Sequence, residues 1–80
     1  MTPEQRDEKL RQTLSAVLGV PADQINDDTS PDNVAAWDSV MHLNLVLALE
    51  EAFATSFTPE ETLEMTSAKL IWMLLEEKGI

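Results

Sequence analysis

Three side chains with chemical capability stand together near the middle of the chain. Asp38 precedes Ser39, and the only histidine, His42, follows three positions later. A hydroxyl and an imidazole at i and i+3 lie on the same side of a helix, so a Ser39–His42 nucleophile pair is the first chemistry to weigh. Such a pair needs a third group to hold the base and an oxyanion site opposite the nucleophile. No glycine-rich turn builds that site, and His42 projects toward an apolar stripe, which makes it a partly buried packing residue. The sequence therefore does not read as an enzyme. A serine at this place ordinarily caps a helix by accepting backbone N–H bonds. The same environment favours a phosphate ester on Ser39, because the N-terminal amides and dipole of a helix attract negative charge.

Metal chemistry finds little support. Asp23, Asn26, Asp27, Asp28, Asp32 and Asp38 supply oxygen atoms, but their spacing misses the EF-hand pattern and no central glycine permits its turn. The chain has no cysteine and one histidine, which excludes disulfides and leaves no zinc set; no metal site is expected. Fifteen acidic residues against five basic ones give a net charge of −10. That balance opposes nucleic acid and anionic membrane surfaces as partners and suits encounters with basic patches on other proteins. The first residues are polar and no apolar run reaches membrane-spanning length, so a cytoplasmic location is expected; the chain is also expected to be a monomer.

The elements that must position Ser39 are helical. The 80 residues make one domain, 1–80, and 44% of them are apolar, enough for a small core. Thr2, Pro3 and Gln5 form a capping box that opens a first helix over about Pro3 to Leu18, with Leu10, Leu14, Val17 and Leu18 on one face and Gly19 and Pro21 beyond its end. From Val20 to Asp38 turn formers replace any helical period, and a loop this long in a compact domain is often functional; Ile25, Val34 and Trp37 are placed to pin it. A second helix runs from about Ser39 to Ala54, capped by Asp38 or Ser39. A short third helix is capped by Thr58, opened by Pro59 and ends near Glu64. The fourth begins at Thr66 or Ser67 and runs to about Lys78, with Ala68, Ile71, Trp72 and Leu75 as its buried stripe. The expected fold is all-α: a small four-helix bundle with three longer helices, a short third helix and a long first loop.

The second helix has two apolar faces. Leu45, Val46, Leu49 and Phe53 share the stripe that the core requires. Val40, Leu43 and Leu47 form another at i, i+3 and i+7, bordered by Asn44 and Glu51. Either the first loop covers the second stripe, or it is an exposed apolar strip rimmed by polar groups, the form of a docking surface.

The run Trp37-Asp38-Ser39-Val40-Met41-His42-Leu43 resembles the acyl carrier proteins and the related peptidyl carrier domains, which bear an Asp-Ser-Leu motif at the start of their second helix. The likeness continues through Leu45-Val46-Leu47-Ala48-Leu49-Glu50-Glu51-Ala52-Phe53 and covers essentially the whole chain. It implies that Ser39, preceded by the motif residue Asp38, is the attachment point of a covalent 4′-phosphopantetheine. A phosphopantetheinyl transferase would donate that arm from coenzyme A with a magnesium ion. Acyl cargo would ride as a thioester on the arm's thiol, which answers the lack of cysteine. The resemblance further implies that Val40, Leu43, Leu47, Glu50 and Glu51 are read by partner enzymes such as ligases, ketosynthases and acyltransferases. Val40 stands where leucine is usual, and Met41 and Asn44 stand where fatty-acid carriers often bear acids. These departures point to polyketide, nonribosomal peptide or another specialised acyl pathway rather than housekeeping fatty-acid synthesis. The competing reading is a small acidic helical interaction module that works through its exposed strip without a prosthetic group. Trp37 is expected to pack under the loop rather than line the route of the arm.

Overall fold

Each helix begins where a local cap allows it. In the computed structural model, which describes residues 2–80, the Thr2 hydroxyl accepts the Gln5 amide at 3.2 Å and the Gln5 side chain accepts the Thr2 amide at 3.1 Å. This reciprocal pair satisfies two of the donors that a helix start leaves free and opens α1, Pro3–Leu18. Gly19 closes it at φ 72°, a left-handed conformation in which glycine carries no Cβ penalty. Helix α2 is Ser39–Phe53, α3 is Pro59–Glu64 and α4 is Ala68–Glu77. A second capping box, Thr58 with Glu61, starts α3, and Ser67 caps α4 by accepting the Leu70 amide at 3.1 Å.

The core lies where α1, α2 and α4 meet. Leu10, Leu14 and Leu18 enter it from α1, Leu45, Leu49 and Phe53 from α2, and Ile71, Leu74 and Leu75 from α4. Met65, just past α3, is fully buried and anchors that helix, which itself buries no residue. Ile25 and Trp37 pin the first loop to the same cluster, with Val34 half-buried against it. The loop is also held by its backbone. Thr29 O accepts the Ala68 amide at 2.8 Å and Asp27 O the Lys69 amide at 3.4 Å, so loop carbonyls meet the free donors at the start of α4. Turns closed by Asn26, Ser30 and Asn33 shape the rest.

The five basic residues, Arg6, Lys9, Arg11, Lys69 and Lys78, all lie on α1, on α4 or at the C-cap of α4. Three hold their charges over aromatic rings: Arg6 at 4.9 Å from Trp72, Lys9 at 5.5 Å from Phe53 and Lys78 at 5.4 Å from Phe57. Arg6 is buried and also donates from a guanidinium nitrogen to the Ile80 carbonyl. Between Gln12 and Ala68 there are ten acids and no lysine or arginine, whereas the flanking segments hold five of each.

The structure departs from the sequence reading at a few positions. Helix α2 stops at Phe53, because Ala54 turns left-handed at φ 50° and its amide returns to Glu50 O. Helix α4 stops at Glu77, with Lys78 as its C-cap. A 3-10 turn, Ala22–Gln24, interrupts the first loop. In α4 Leu74 is buried and Trp72 only half-buried, because the indole lies toward α1 beneath the Arg6 guanidinium. Val17 packs against the core half-buried. The two faces of α2 separate as the periodicity requires: Leu45, Val46, Leu49 and Phe53 are buried, while Val40, Leu43 and Leu47 remain 69, 62 and 64% exposed.

Leu49→Ala should therefore cost about 2–5 kcal/mol in a denaturant titration. Leu43→Asp and Leu47→Asp should keep the helical circular dichroism and shift Tm by no more than about 4 °C; a collapse in those variants would show that the second stripe is core. The Glu61 carboxyl is held below its ordinary value of 4.5, first by the Thr58 amide that donates to it and then by Lys78 Nζ at 3.1 Å. A depressed folded value stabilises the fold above the unfolded value and loses that contribution as pH falls through the folded value. Glu61→Gln should accordingly flatten the loss of stability below pH 4.5 relative to wild type in urea midpoints measured across the acid range.

Candidate functional site

The start of α2 is set by Asp38. Its backbone is extended (φ −99°, ψ −174°), its carbonyl accepts the His42 amide at 2.8 Å, and its Oδ1 accepts the Met41 amide at 2.8 Å. Of the two candidate caps, the carboxylate is used, and Ser39 becomes the first residue of the helix. Only the residue just outside helical dihedrals can fold its side chain back over the first-turn amides, and here that residue is Asp38. The ordinary capping role for Ser39 is thereby overturned. The Ser39 side chain is exposed at the helix tip, and its hydroxyl takes no part in the cap.

His42 lies one turn below; it is partly buried as expected, but polar contacts rather than the core stripe hold it. It is half-buried between the first loop and α3. Trp37 Nε1 donates to His42 Nδ1 at 3.0 Å, and His42 Nε2 lies 2.9 Å from the Thr62 carbonyl oxygen. An indole nitrogen only donates and a carbonyl only accepts, so both bonds require the tautomer with its proton on Nε2. The two rings stack with centroids 6.2 Å apart and planes at 19°. Both imidazole nitrogens are thus engaged, and neither is left to draw a proton from Ser39.

A groove of about 570 Å³ runs beside Ser39 between the start of α2 and α3. Trp37, His42 and Met65 line it with Leu43 on the α2 side and Leu63 on the α3 side; Pro31 and Thr66 also contribute. Trp37 is 3% exposed, so it packs under the loop as expected and also lines this groove. Leu63 is 78% exposed and was not apparent in the sequence: a six-residue helix is too short for a single outward leucine to stand out from its period. The strip of Val40, Leu43 and Leu47 is uncovered, which removes the alternative that the first loop buries it. Glu51 is exposed near the far end of α2. Glu50 is half-buried, and its Oε2 accepts the Phe57 amide at 2.8 Å, bracing the connection to α3.

These features suit a phosphate-linked group on Ser39. The hydroxyl is reachable, it stands at the N-terminus of a 15-residue helix whose dipole favours an anion, and an apolar-walled groove begins beside it. The chain finds no match among curated proteins. The family model described as the phosphopantetheine attachment site matches residues 8–71, which include the first loop, all of α2 and α3, and the start of α4. On that match the chain belongs to the phosphopantetheine attachment-site family, the acyl and peptidyl carrier proteins, whose defining prosthetic group is a covalently attached 4′-phosphopantetheine.

Proposed function

We propose that Ser39 is the residue that bears the 4′-phosphopantetheine and that the chain carries acyl intermediates as thioesters in a specialised pathway of polyketide, nonribosomal peptide or related acyl assembly. The observation that supports this most is the exposed Ser39 hydroxyl at the first position of α2, released from capping by Asp38. The prosthetic group supplies the thiol that the sequence lacks. The chain's own residues hold and present: Asp38 fixes the helix start, and Trp37, Leu43 and Leu63 offer apolar surface beside the attachment point. With both nitrogens of His42 engaged, the site has no base for a nucleophilic serine, which supports a carrier rather than an enzyme. Its partners are then a phosphopantetheinyl transferase and cytoplasmic acyl-loading and acyl-processing enzymes.

Partner enzymes would dock on Val40, Leu43 and Leu47, with Glu51 at the rim. Glu50 would contribute mainly by bracing the α2–α3 connection. Met41 and Asn44, with no acid between Asp38 and Glu50, support a docking face in which apolar contact outweighs charge pairing along α2. This is the basis for placing the chain in a specialised pathway.

Incubation with coenzyme A, magnesium and a broad-specificity transferase should add one phosphopantetheine to the intact mass of the wild type and none to Ser39→Ala. No addition with several transferases, or addition to Ser39→Ala, would overturn the assignment. Leu47→Asp should take up the arm and keep its Tm, yet slow acyl loading by the cognate ligase or acyltransferase by about tenfold, the order expected for one well-packed apolar contact. Unchanged loading would remove Leu47 from the docking face.

A further inference from the structure

We propose that His42 is a positioning residue for the reactions at Ser39: through the chain Trp37–His42–Thr62 it fixes α3 against the start of α2, and so fixes the wall of the groove opposite the attachment point. The proposal rests on Ser39 being that point. Helix α3 is six residues long and buries none of them, so it has little stability of its own. Met65 anchors its end in the core, and Lys78 holds Glu61 from the direction of α4. Toward α2, the bond from His42 Nε2 to Thr62 O is the one hydrogen bond between the two helices among the described residues. The same ring accepts from Trp37, two residues before Ser39. One side chain thus ties the loop ahead of the attachment point, the first turns of α2 and the last turn of α3.

The chemistry of the relay is restrictive. The central group must accept from an indole on one side and donate to a peptide carbonyl on the other, within one small planar ring. Phenylalanine fills the volume and makes neither bond. Glutamine keeps one donor and one acceptor on a flexible stem. Met65 and Lys78 fix α3 toward the core and α4, and the tie adds the one constraint toward α2 that sets the separation of Leu43 and Leu63, exposed on the two walls. A partner that reads both helices then meets a preformed surface and does not have to order α3 itself.

Three proteins test this: wild type, His42→Phe and His42→Gln. In His42→Phe, amides of residues 59–64 should exchange about tenfold faster while those of α1 are unchanged, the order expected from losing a hydrogen bond of ordinary strength. The KM for the carrier in the transferase reaction should rise about fivefold or more with kcat within about twofold, since the Ser39 hydroxyl itself is untouched. His42→Gln should recover part of both effects. Equal exchange and equal KM in His42→Phe would overturn the proposal, as would a fall in kcat at constant KM. A measurement on the wild type covers the case in which His42→Phe does not fold. Nitrogen-15 spectra at neutral pH should place the ring proton on Nε2 and show the Trp37 indole N–H protected from exchange. A proton on Nδ1 or an unprotected indole would defeat the relay. A wild type that no transferase modifies would instead defeat the assignment of Ser39, leaving the spectra to judge the tie alone.

Discussion

The hydrogen bond from the Met41 amide to the Asp38 carboxylate decides more than where α2 begins. Each residue of a helix is turned about 100° from the last, so the apolar period sets which of the fifteen residues face inward, while the cap sets that Ser39 stands at the tip with its hydroxyl free. With Asp38 outside the helix and Ser39 inside it, Leu45, Leu49 and Phe53 face the core and Val40, Leu43 and Leu47 face out. A cap by Ser39 would engage the oxygen that the proposed chemistry needs. The carboxylate is also the stronger choice at a helix N-terminus, where its charge meets the dipole favourably; losing such a cap typically costs about 0.5–2 kcal/mol.

A domain of 80 residues has little core to spare, yet α2 leaves one apolar stripe uncovered and the first loop is nineteen residues from Val20 to Asp38. The structure reconciles these by holding the loop through few points. Ile25 and Trp37 enter the core, Thr29 and Asp27 lend carbonyls to the start of α4, and Trp37 passes its indole proton to His42. None of these contacts draws the loop across Val40, Leu43 or Leu47. The same economy governs α3, which is fixed by its flanking Met65 and by side chains from its neighbours rather than by an apolar face of its own.

Much of this was legible in the sequence because the signals are local. Both capping boxes, the Gly19 stop and the alternative faces of α2 depend on residues within a turn or two of each other. The choice between Asp38 and Ser39 was not legible, since both are good caps and one residue separates them. The bonds of His42 were not, because its partners lie five residues back and twenty residues on, and spacing on one helix speaks only of that helix. Arg6 reads as a surface residue by type, and its burial under the C-terminal end depends on Trp72 and Ile80 arriving from the far end of the chain. The family resemblance reached Ser39 directly; the groove beside it, with Leu63 on its outer wall, needed the packing of α3.

The placement of the five cations on α1 and at both ends of α4 gives the molecule a permanent charge asymmetry. The segment from Gln12 to Ala68 carries the whole excess of −10, while the two flanking segments together balance. An approaching body with a positive surface would be drawn to the acids of that segment before any contact forms. That attraction would weaken once dissolved ions shorten the reach of the field to about 8 Å at physiological strength.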